Sequence, residues 1–547
     1  MPVRMAEPAA EAYRYPLLVR HLLHAPLATA REQVIVYGDR RRHSYLEFAN
    51  RIERLAGLLT RFGAEPGATV AVLDWDSHRY LECFFAVPML GAVLQTVNVR
   101  LSPDQVAYTM SHARAEIVLL HRDFLPLYEA IRDRLPGVRH VVLLDDDEDA
   151  SGPGWLDGEY EQCLAAAPDG YRFADFDENA VATTFYTTGT TGDPKGVCFS
   201  HRQLVLHTLA VMAALAAPAH GQSFRHGDVY MPMTPMFHVH AWGNPFVATV
   251  LGVKQVYPGR YVPDELISLR RREGVTYSHC VPTILQMLLA RARERNESLA
   301  GWKICIGGSA LPAGLAREAL EAGIDVFAGY GMSETGPVMT VTRLNAAPGS
   351  MPLDAEIECR RRTGLPIPLV DLQLLDVERN VLPADDVAVG EVTVRAPWTT
   401  PCYVGNPEAS DDLWRGGRLH TQDVGRIGPG GFLQVTDRIK DVIKTGGEWL
   451  SSLELETLIS MHPDVAEVAV IGVTDARWGE RPHAIVVPRA EARGSLTADD
   501  VRRHVAEAAA AGRIPKYAVP ERVTLTDALD RTSVGKLDKR SLRRRFN

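Results

Sequence analysis

Apolar positions recur along the first third of the chain at two alternating periods. Over residues 45–62 they fall at Leu46, Phe48, Ile52, Leu55, Leu58 and Leu59, a stripe that predicts a helix with one buried face. Residues 70–73 form a short continuous apolar run and predict a buried strand. Ser102, Pro103 and Gln105 stand as N-cap, first helical position and capping partner, opening a helix to about His112. Residues 116–120 return to strand, 123–135 to helix and 141–144 to strand. Strands alternating with helices predict parallel sheets covered by helices. An acidic, turn-rich stretch at 145–153 predicts a surface loop.

Past residue 431 the texture changes. Short strands at 465–473, 483–487 and 522–526 surround one long helix at 497–511. The chain is therefore expected to divide at the charged segment DRIKD, residues 437–441. The expected parts are a large multi-sheet α/β domain, residues 1–438, and a small α+β domain, residues 439–547. The longest apolar run, residues 83–97, is broken by Pro88, Gly91 and Gln95 and is too short to span a bilayer, so no stable membrane insertion is expected.

Composition narrows the function classes. A net charge of −9 argues against a nucleic-acid partner or a polybasic membrane surface, while leaving room for a local positive pocket. The seven cysteines are scattered singly, which reads as reduced thiols in a cytoplasmic protein. Arg4, Glu7, Glu11, Arg20, His21 and His24 break up the N-terminal stretch, which does not read as a signal peptide. The basic end, Lys539, Arg540 and Arg543 to Arg545, is read as a solvated helix face.

Candidate chemistry centres on residues 186–197, YTTGTTGDPKGV. Four threonines, three glycines and one lysine within this stretch make a phosphate-binding loop, because glycines expose backbone N–H groups and threonines add hydroxyl donors. Thr187 is a candidate magnesium ligand, and Lys195 offers a positive charge to phosphate. The kinase and GTPase loop needs Gly-Lys-Ser/Thr at its end; here Pro194 precedes Lys195 and Gly196 follows it, so this is a loop of another kind. The plain alternative is a Gly/Thr-rich turn without a ligand.

Further along, MTPMFHVHAWGNPF at 233–246 reads as the wall of a cleft for an apolar acid. His238 and His240 have the spacing to bind zinc from one face of a strand, but no third ligand stands nearby and packing histidines are the more ordinary reading. Gly307, Gly308 and Ser309 allow close backbone approach, although Gly-Gly-Ser is also a common turn. In GYGMSETG, residues 329–336, Tyr330 is an aromatic plane suited to a purine, and Glu334 is a second candidate magnesium ligand. Asp423 and Arg438 can hold the vicinal hydroxyls of a ribose; taken singly, either reads equally as half of a surface ion pair.

These segments, together with DRIKDVIKTGGEW and RTSVGK, resemble the adenylate-forming enzymes in order and separation, and within them the bacterial medium- and long-chain fatty-acid–CoA ligases. The resemblance covers nearly the whole chain from about residue 17. It implies a large N-terminal domain and a C-terminal lid turning about a hinge at Lys440. It implies that Thr188, Gly189, Thr190, Thr191, Gly192 and Lys195 cradle phosphates. Thr187 and Glu334 would hold magnesium, with Glu334 also among the catalytic residues. Gly308, Gly329, Tyr330, Gly331, Met332 and Ser333 would lie by the adenine and α-phosphate, and Asp423 and Arg438 by the ribose. Lys536 would act in adenylation, while Lys444 and Trp449 would stand beside the adenylate and the incoming thiol. Trp242 matches an aromatic gate to the acyl pocket, which His238, Val239, Gly307 and Ser309 would also line, His238 facing the nucleotide as well.

The reaction so implied joins a carboxylic acid to coenzyme A through acyl-AMP, using ATP and Mg2+, in a homodimer. The acid ranges from a short or medium-chain fatty acid to a long one or a substituted propionate such as 3-(methylthio)propionate. Rival readings are an adenylation enzyme that loads a carrier protein, a non-catalytic acyl-adenylate binder, and a luciferase-like oxidative relative. Two departures from the family pattern stand out. Gln422 replaces a glycine, at a cost of about 1 kcal/mol or more if φ there is positive, and Asp530 replaces a proline before the lysine loop.

Overall fold

The computed structural model describes residues 3–147, 152–187, 193–344, 347, 350–376, 378–446, 448–531 and 537–546. Two large sheets organise the first four-fifths of the chain. In the seven-stranded sheet, Thr69–Leu73 lies parallel between Val93–Thr96 and Ala115–His121. One edge of that sheet is the antiparallel pair Val181–Thr187 and Lys195–Ser200. The nine-stranded sheet runs parallel through Val229–Met233, Tyr277–Cys280, Lys303–Ile306 and Asp325–Gly331, then turns antiparallel at Val338–Val341. An antiparallel four-stranded sheet ends in Leu419–Ile427 and Leu433–Arg438. This is the expected α/β architecture with mixed sheets, and a separate C-terminal sheet completes it.

The interrupted apolar run at 83–97 becomes the centre of the first core. Every residue of the helix His78–Met89 is buried, and the chain then enters the strand Val93–Thr96. Helix ends follow local chemistry. Ser44 caps Tyr45–Arg61 and Ser102 caps Pro103–His112, each through a reciprocal capping box that satisfies otherwise unpaired N–H groups. Among the described residues no helix is long and apolar enough to cross a membrane.

Several expectations need correction. The helix expected at 123–135 is three short pieces, Arg122–Phe124, Leu125–Glu129 and Arg132–Arg134. Pro126 lacks an N–H and fits only a first turn, so it starts a helix rather than continuing one. The acidic segment after residue 144 is not all surface: Asp145 is buried and pairs with Arg122, while Asp146 accepts from Arg79 and Tyr37 at 2.9 Å each. Residues 148–151 lie outside the described residues. The basic end is only partly solvated, since Lys539 pairs with Glu456 at 2.6 Å and Arg543 with Asp441 at 2.7 Å.

Residues from Ile443 onward build their own cores around the strands Val465–Asp475 and Gly479–Pro488 and the helix Ala498–Ala510. Polar bonds tie this part to the rest of the chain. Ser452 N donates to Asp437 at 2.6 Å, Arg361 to Thr457 Oγ1 at 2.6 Å, and Gln286 to the Ala466 carbonyl at 3.1 Å.

Candidate active site

The phosphate-loop segment begins and ends on two paired antiparallel strands. Thr187 pairs with Lys195 across them, and the Tyr186 ring lies 3.1 Å from where a Cβ on Gly196 would sit, a tight approach that favours a small residue there. Thr188, Gly189, Thr190, Thr191 and Gly192 lie outside the described residues. Lys195 carries its ammonium 4.7 Å from the centre of the Tyr403 ring. The hydroxyl of that tyrosine donates to Glu334 Oε1 at 2.6 Å. Glu334 is buried. Buried carboxylate and hydroxyl oxygens of this kind fit a hard divalent cation such as magnesium. Among the described residues no group of three or more His, Cys, Asp or Glu has metal-site geometry, and the zinc option at His238 and His240 gains nothing.

The GYGMSETG segment ends the strand Asp325–Gly331 at a register shift between Tyr330 and Gly331. A Cβ on Gly331 would stand 1.7 Å from the Pro337 carbonyl, which only glycine avoids. Tyr330 donates its hydroxyl to Asp423 Oδ2 at 2.7 Å, and Arg438 donates Nε to Asp423 Oδ1 at 3.2 Å. Asp423 and Arg438 face each other in register on adjacent strands. Three residues separated by as many as 108 positions thus meet in one polar cluster, with Asp423 buried at its centre. Burial, and then the Asp423 charge, push the Tyr330 phenol well above its ordinary range, so it remains a donor. Gln422, next to this aspartate, has φ +59°, the left-handed conformation that the usual glycine accommodates without strain.

Tyr330 also lines a cavity of about 40 Å³, together with Val211, Leu215, Tyr277, Cys305 and Val341 and with its neighbours Gly329, Gly331, Met332 and Ser333. A second cavity, about 110 Å³, is lined by Met233, Pro235, Val281 and Ile284 and by Arg100, Thr234, Tyr261 and Thr283. His238, Trp242 and Gly308 border both. Val239 and Gly307 line the smaller cavity, whereas Ser309 is exposed and lines neither. A Cβ on Gly307 would meet the Trp242 ring at 2.9 Å, so the glycine seats the indole.

The segment carrying these residues is not a strand, contrary to the expectation for the two histidines. Val239, His240, Ala241 and Trp242 have φ of +49°, +54°, +48° and +59°, and Gly243 follows at +73°. A left-handed turn costs about 1–2 kcal/mol for each non-glycine residue. Burial of all four side chains and the bond of His240 Nε2 with Thr183 Oγ1 at 2.8 Å hold it in place. His240 also lies edge-on to Phe84 and Phe185, and burial lowers its pKa to about 3. It is a packing histidine.

Lys444 is exposed on the hairpin Ile443–Thr445 and Glu448–Leu450, in backbone register with Trp449, whose side chain lies outside the described residues. Lys440 is exposed in the turn after Leu433–Arg438. Lys536 also lies outside the described residues. The flanks of its loop are closed by a bridge between Arg531 and Leu537, and Arg531 donates to Thr283 Oγ1 at 3.0 Å, on the rim of the larger cavity. Asp530 accepts from the Asp538 N–H at 2.9 Å. Sequence reasoning missed Tyr403, because a tyrosine in PCYVGNPE belongs to no phosphate or metal pattern.

Comparison with known proteins accounts for this arrangement. Residues 24–404 match the AMP-binding enzyme family, and residues 454–536 match the AMP-binding enzyme C-terminal domain. A long-chain-fatty-acid–CoA ligase of Thermus thermophilus is 40% identical over 514 residues, 93% of this chain and 91% of that protein. A 3-methylmercaptopropionyl-CoA ligase of Ruegeria pomeroyi is 37% identical over 544 residues, 97% of each chain. Among solved structures, ATP-bound MatB from Rhodopseudomonas palustris superposes with a TM-score of 0.82 at 25% identity, over 97% of this chain and 99% of that one. The anthranilate CoA ligase AuaEII with anthranoyl-AMP shares the fold, with a TM-score of 0.85. With family matches along both parts of its length and relatives of this identity, the chain belongs to the AMP-binding enzyme family.

Proposed function

We propose that the protein is an ATP-dependent acid–thiol ligase that makes an acyl-AMP and then passes the acyl group to coenzyme A. The observation that carries this reading is the Tyr330–Asp423–Arg438 cluster, whose tyrosine also lines a largely apolar cavity. A nucleoside and an acyl tail are thereby given adjoining places. A thiol cannot displace oxide from a carboxylate; it can displace AMP from a mixed anhydride, and that is what the nucleotide supplies.

In this reading Asp423 accepts a hydrogen bond from the ribose while Arg438 holds that carboxylate in register. Tyr330 offers its ring to the adenine. Lys195 and the residues of its loop meet the phosphates, and Lys536 stabilises the charge that builds as the carboxylate reaches the α-phosphorus. Losing one preorganised donor of this type typically costs about 3–4 kcal/mol in the transition state. Thr187 and Glu334 would hold magnesium, which when bound supplies positive charge against the phosphates. Lys444 and Trp449 serve the thiol step after residues 439–547 turn about Lys440, since one static site cannot both surround pyrophosphate and admit a bulky thiol.

The substrate in this reading is an apolar carboxylic acid, from a short- to medium- or long-chain fatty acid to a substituted propionate such as 3-(methylthio)propionate, with its tail in the cavity beside Trp242. Relatives named for long-chain fatty acids and for 3-methylmercaptopropionate support an acid in this range. Seven unpaired cysteines support a reducing, cytoplasmic setting, and family likeness supports a homodimer. The test is pyrophosphate release from ATP with C2 to C16 acids and substituted propionates, with and without coenzyme A. The reading fails if no acid in the panel elicits pyrophosphate.

A further inference from the structure

The segment Trp398 to Val404 lies across both halves of the nucleotide site. The Val404 N–H donates to the Gly196 carbonyl at 2.8 Å, and Tyr403 bridges to Val197, both on the strand leaving the phosphate loop. Thr400 Oγ1 donates to the Cys198 carbonyl at 3.1 Å on the same strand. In the other direction, the Thr400 N–H donates to the Glu334 carbonyl at 2.8 Å. The phosphate strand belongs to the seven-stranded sheet, whereas Glu334 follows a strand of the nine-stranded one. This segment therefore fixes the separation between two sheets that each supply part of the site.

Within the segment one side chain reaches charged groups from both sheets. The Tyr403 ring lies 4.7 Å beneath the Lys195 ammonium, a cation–π distance, while its hydroxyl donates to Glu334 Oε1 at 2.6 Å. The ring is itself located by the Ser410 hydroxyl, which accepts from Tyr403 N at 3.0 Å. A hydrogen bond to one carboxylate oxygen fixes the plane of the carboxylate and leaves the other oxygen for a cation. The aromatic face likewise sets the direction of an otherwise flexible lysine.

We propose that Tyr403 is a positioning residue that holds Glu334 and Lys195 in the spacing required by a magnesium–triphosphate group. The proposal rests on the ligase reading and adds to it a link not carried by any phosphate-binding pattern. Its two halves are separable, because the hydroxyl serves Glu334 and the ring serves Lys195.

The experiment measures ATP dissociation constants by titration calorimetry, with excess Mg2+ and with EDTA, for the full chain and for Tyr403→Phe, Tyr403→Leu and Glu334→Gln. Tyr403→Phe keeps the ring, so it is expected to raise the constant about tenfold with Mg2+ and to leave it within twofold with EDTA. Tyr403→Leu is expected to raise both. Adding Tyr403→Phe to Glu334→Gln is expected to change nothing further, since the hydroxyl then has no carboxylate to orient. Thermal melting checks that each variant is folded, and Tyr403→Phe carries the test if Tyr403→Leu is not. Equal weakening by Tyr403→Phe in both conditions, no weakening in either, or additivity with Glu334→Gln would overturn the proposal. Failure of the unaltered protein to bind ATP at all would instead count against the ligase reading.

Discussion

Replacing Trp242 with alanine tests whether the indole sets the length of the acyl chain. The ring lines both cavities, rests on Gly307, and lies 5.0 Å from the His279 ring. Its removal opens the apolar space into the neighbouring one, whose volume is about 110 Å³. Each methylene newly buried is worth about 0.8 kcal/mol, or roughly fourfold in relative kcat/KM. Four added methylenes amount to about 3.2 kcal/mol, so octanoate is expected to gain on butyrate by about two hundredfold compared with the unaltered protein. Stability falls by about 3 kcal/mol, the low end of the range for removing a buried tryptophan, because one face of the ring already borders open space. The assay is pyrophosphate release over C3 to C12 acids at fixed ATP, expressed as ratios so that a general loss of activity cancels. A butyrate-to-octanoate ratio within twofold of the original shows that the indole already swings aside by itself, and refutes its role as a fixed wall.

Three further outcomes are expected. Lys536→Ala is expected to abolish adenylate formation while sparing thioester formation from supplied acyl-AMP; parallel loss of both half-reactions would contradict a lid that turns away between steps. Gln422→Gly is expected to be neutral or to stabilise by up to about 1.5 kcal/mol, because relief of about 1–2 kcal/mol of left-handed strain is offset by about 0.5–1 kcal/mol of added chain entropy; a lowered melting temperature would contradict it. Burial lowers His43, His78 and His201 to about 4, and His207, His240 and His279 to about 3. Below about pH 6.5 the unfolded chain takes up protons that the folded one refuses, so stability is full above that pH and drops on acidification toward pH 4. Each such histidine contributes up to about 1.4 kcal/mol per pH unit, and a flat urea midpoint between pH 6.5 and 5 would refute this.

What the sequence disclosed depended on whether a feature is local. The capping box at Ser102 read directly, because the residues that cap a helix are three apart, and the same device at Ser44 emerged only with the structure. The purine-side and ribose-side residues were found through motif chemistry, and Gln422 was flagged as strained by its departure from a glycine. Tyr403 escaped because its meaning comes from partners 69 and 208 positions away, on two sheets whose approach leaves no periodic mark. The turn at Val239 to Trp242 escaped for a different reason. Its backbone is held by burial and by the bond of His240 to Thr183, against the intrinsic preference of every residue in it.

That turn bears on any attempt to redirect the enzyme to other acids. A tryptophan held at φ +59° is followed by a glycine whose Cβ position is 2.9 Å from the His207 ring, so mutagenesis here alters main chain and side chain together. Branched replacements at Trp242 would add their own conformational penalty to whatever they change in shape. Val211 and Leu215, on the helix His201–Ala216, and Cys305, on the strand Lys303–Ile306, border the same space from ordinary backbone. Libraries aimed at new acyl groups are better built on that opposite wall, where size can be varied without disturbing the main chain.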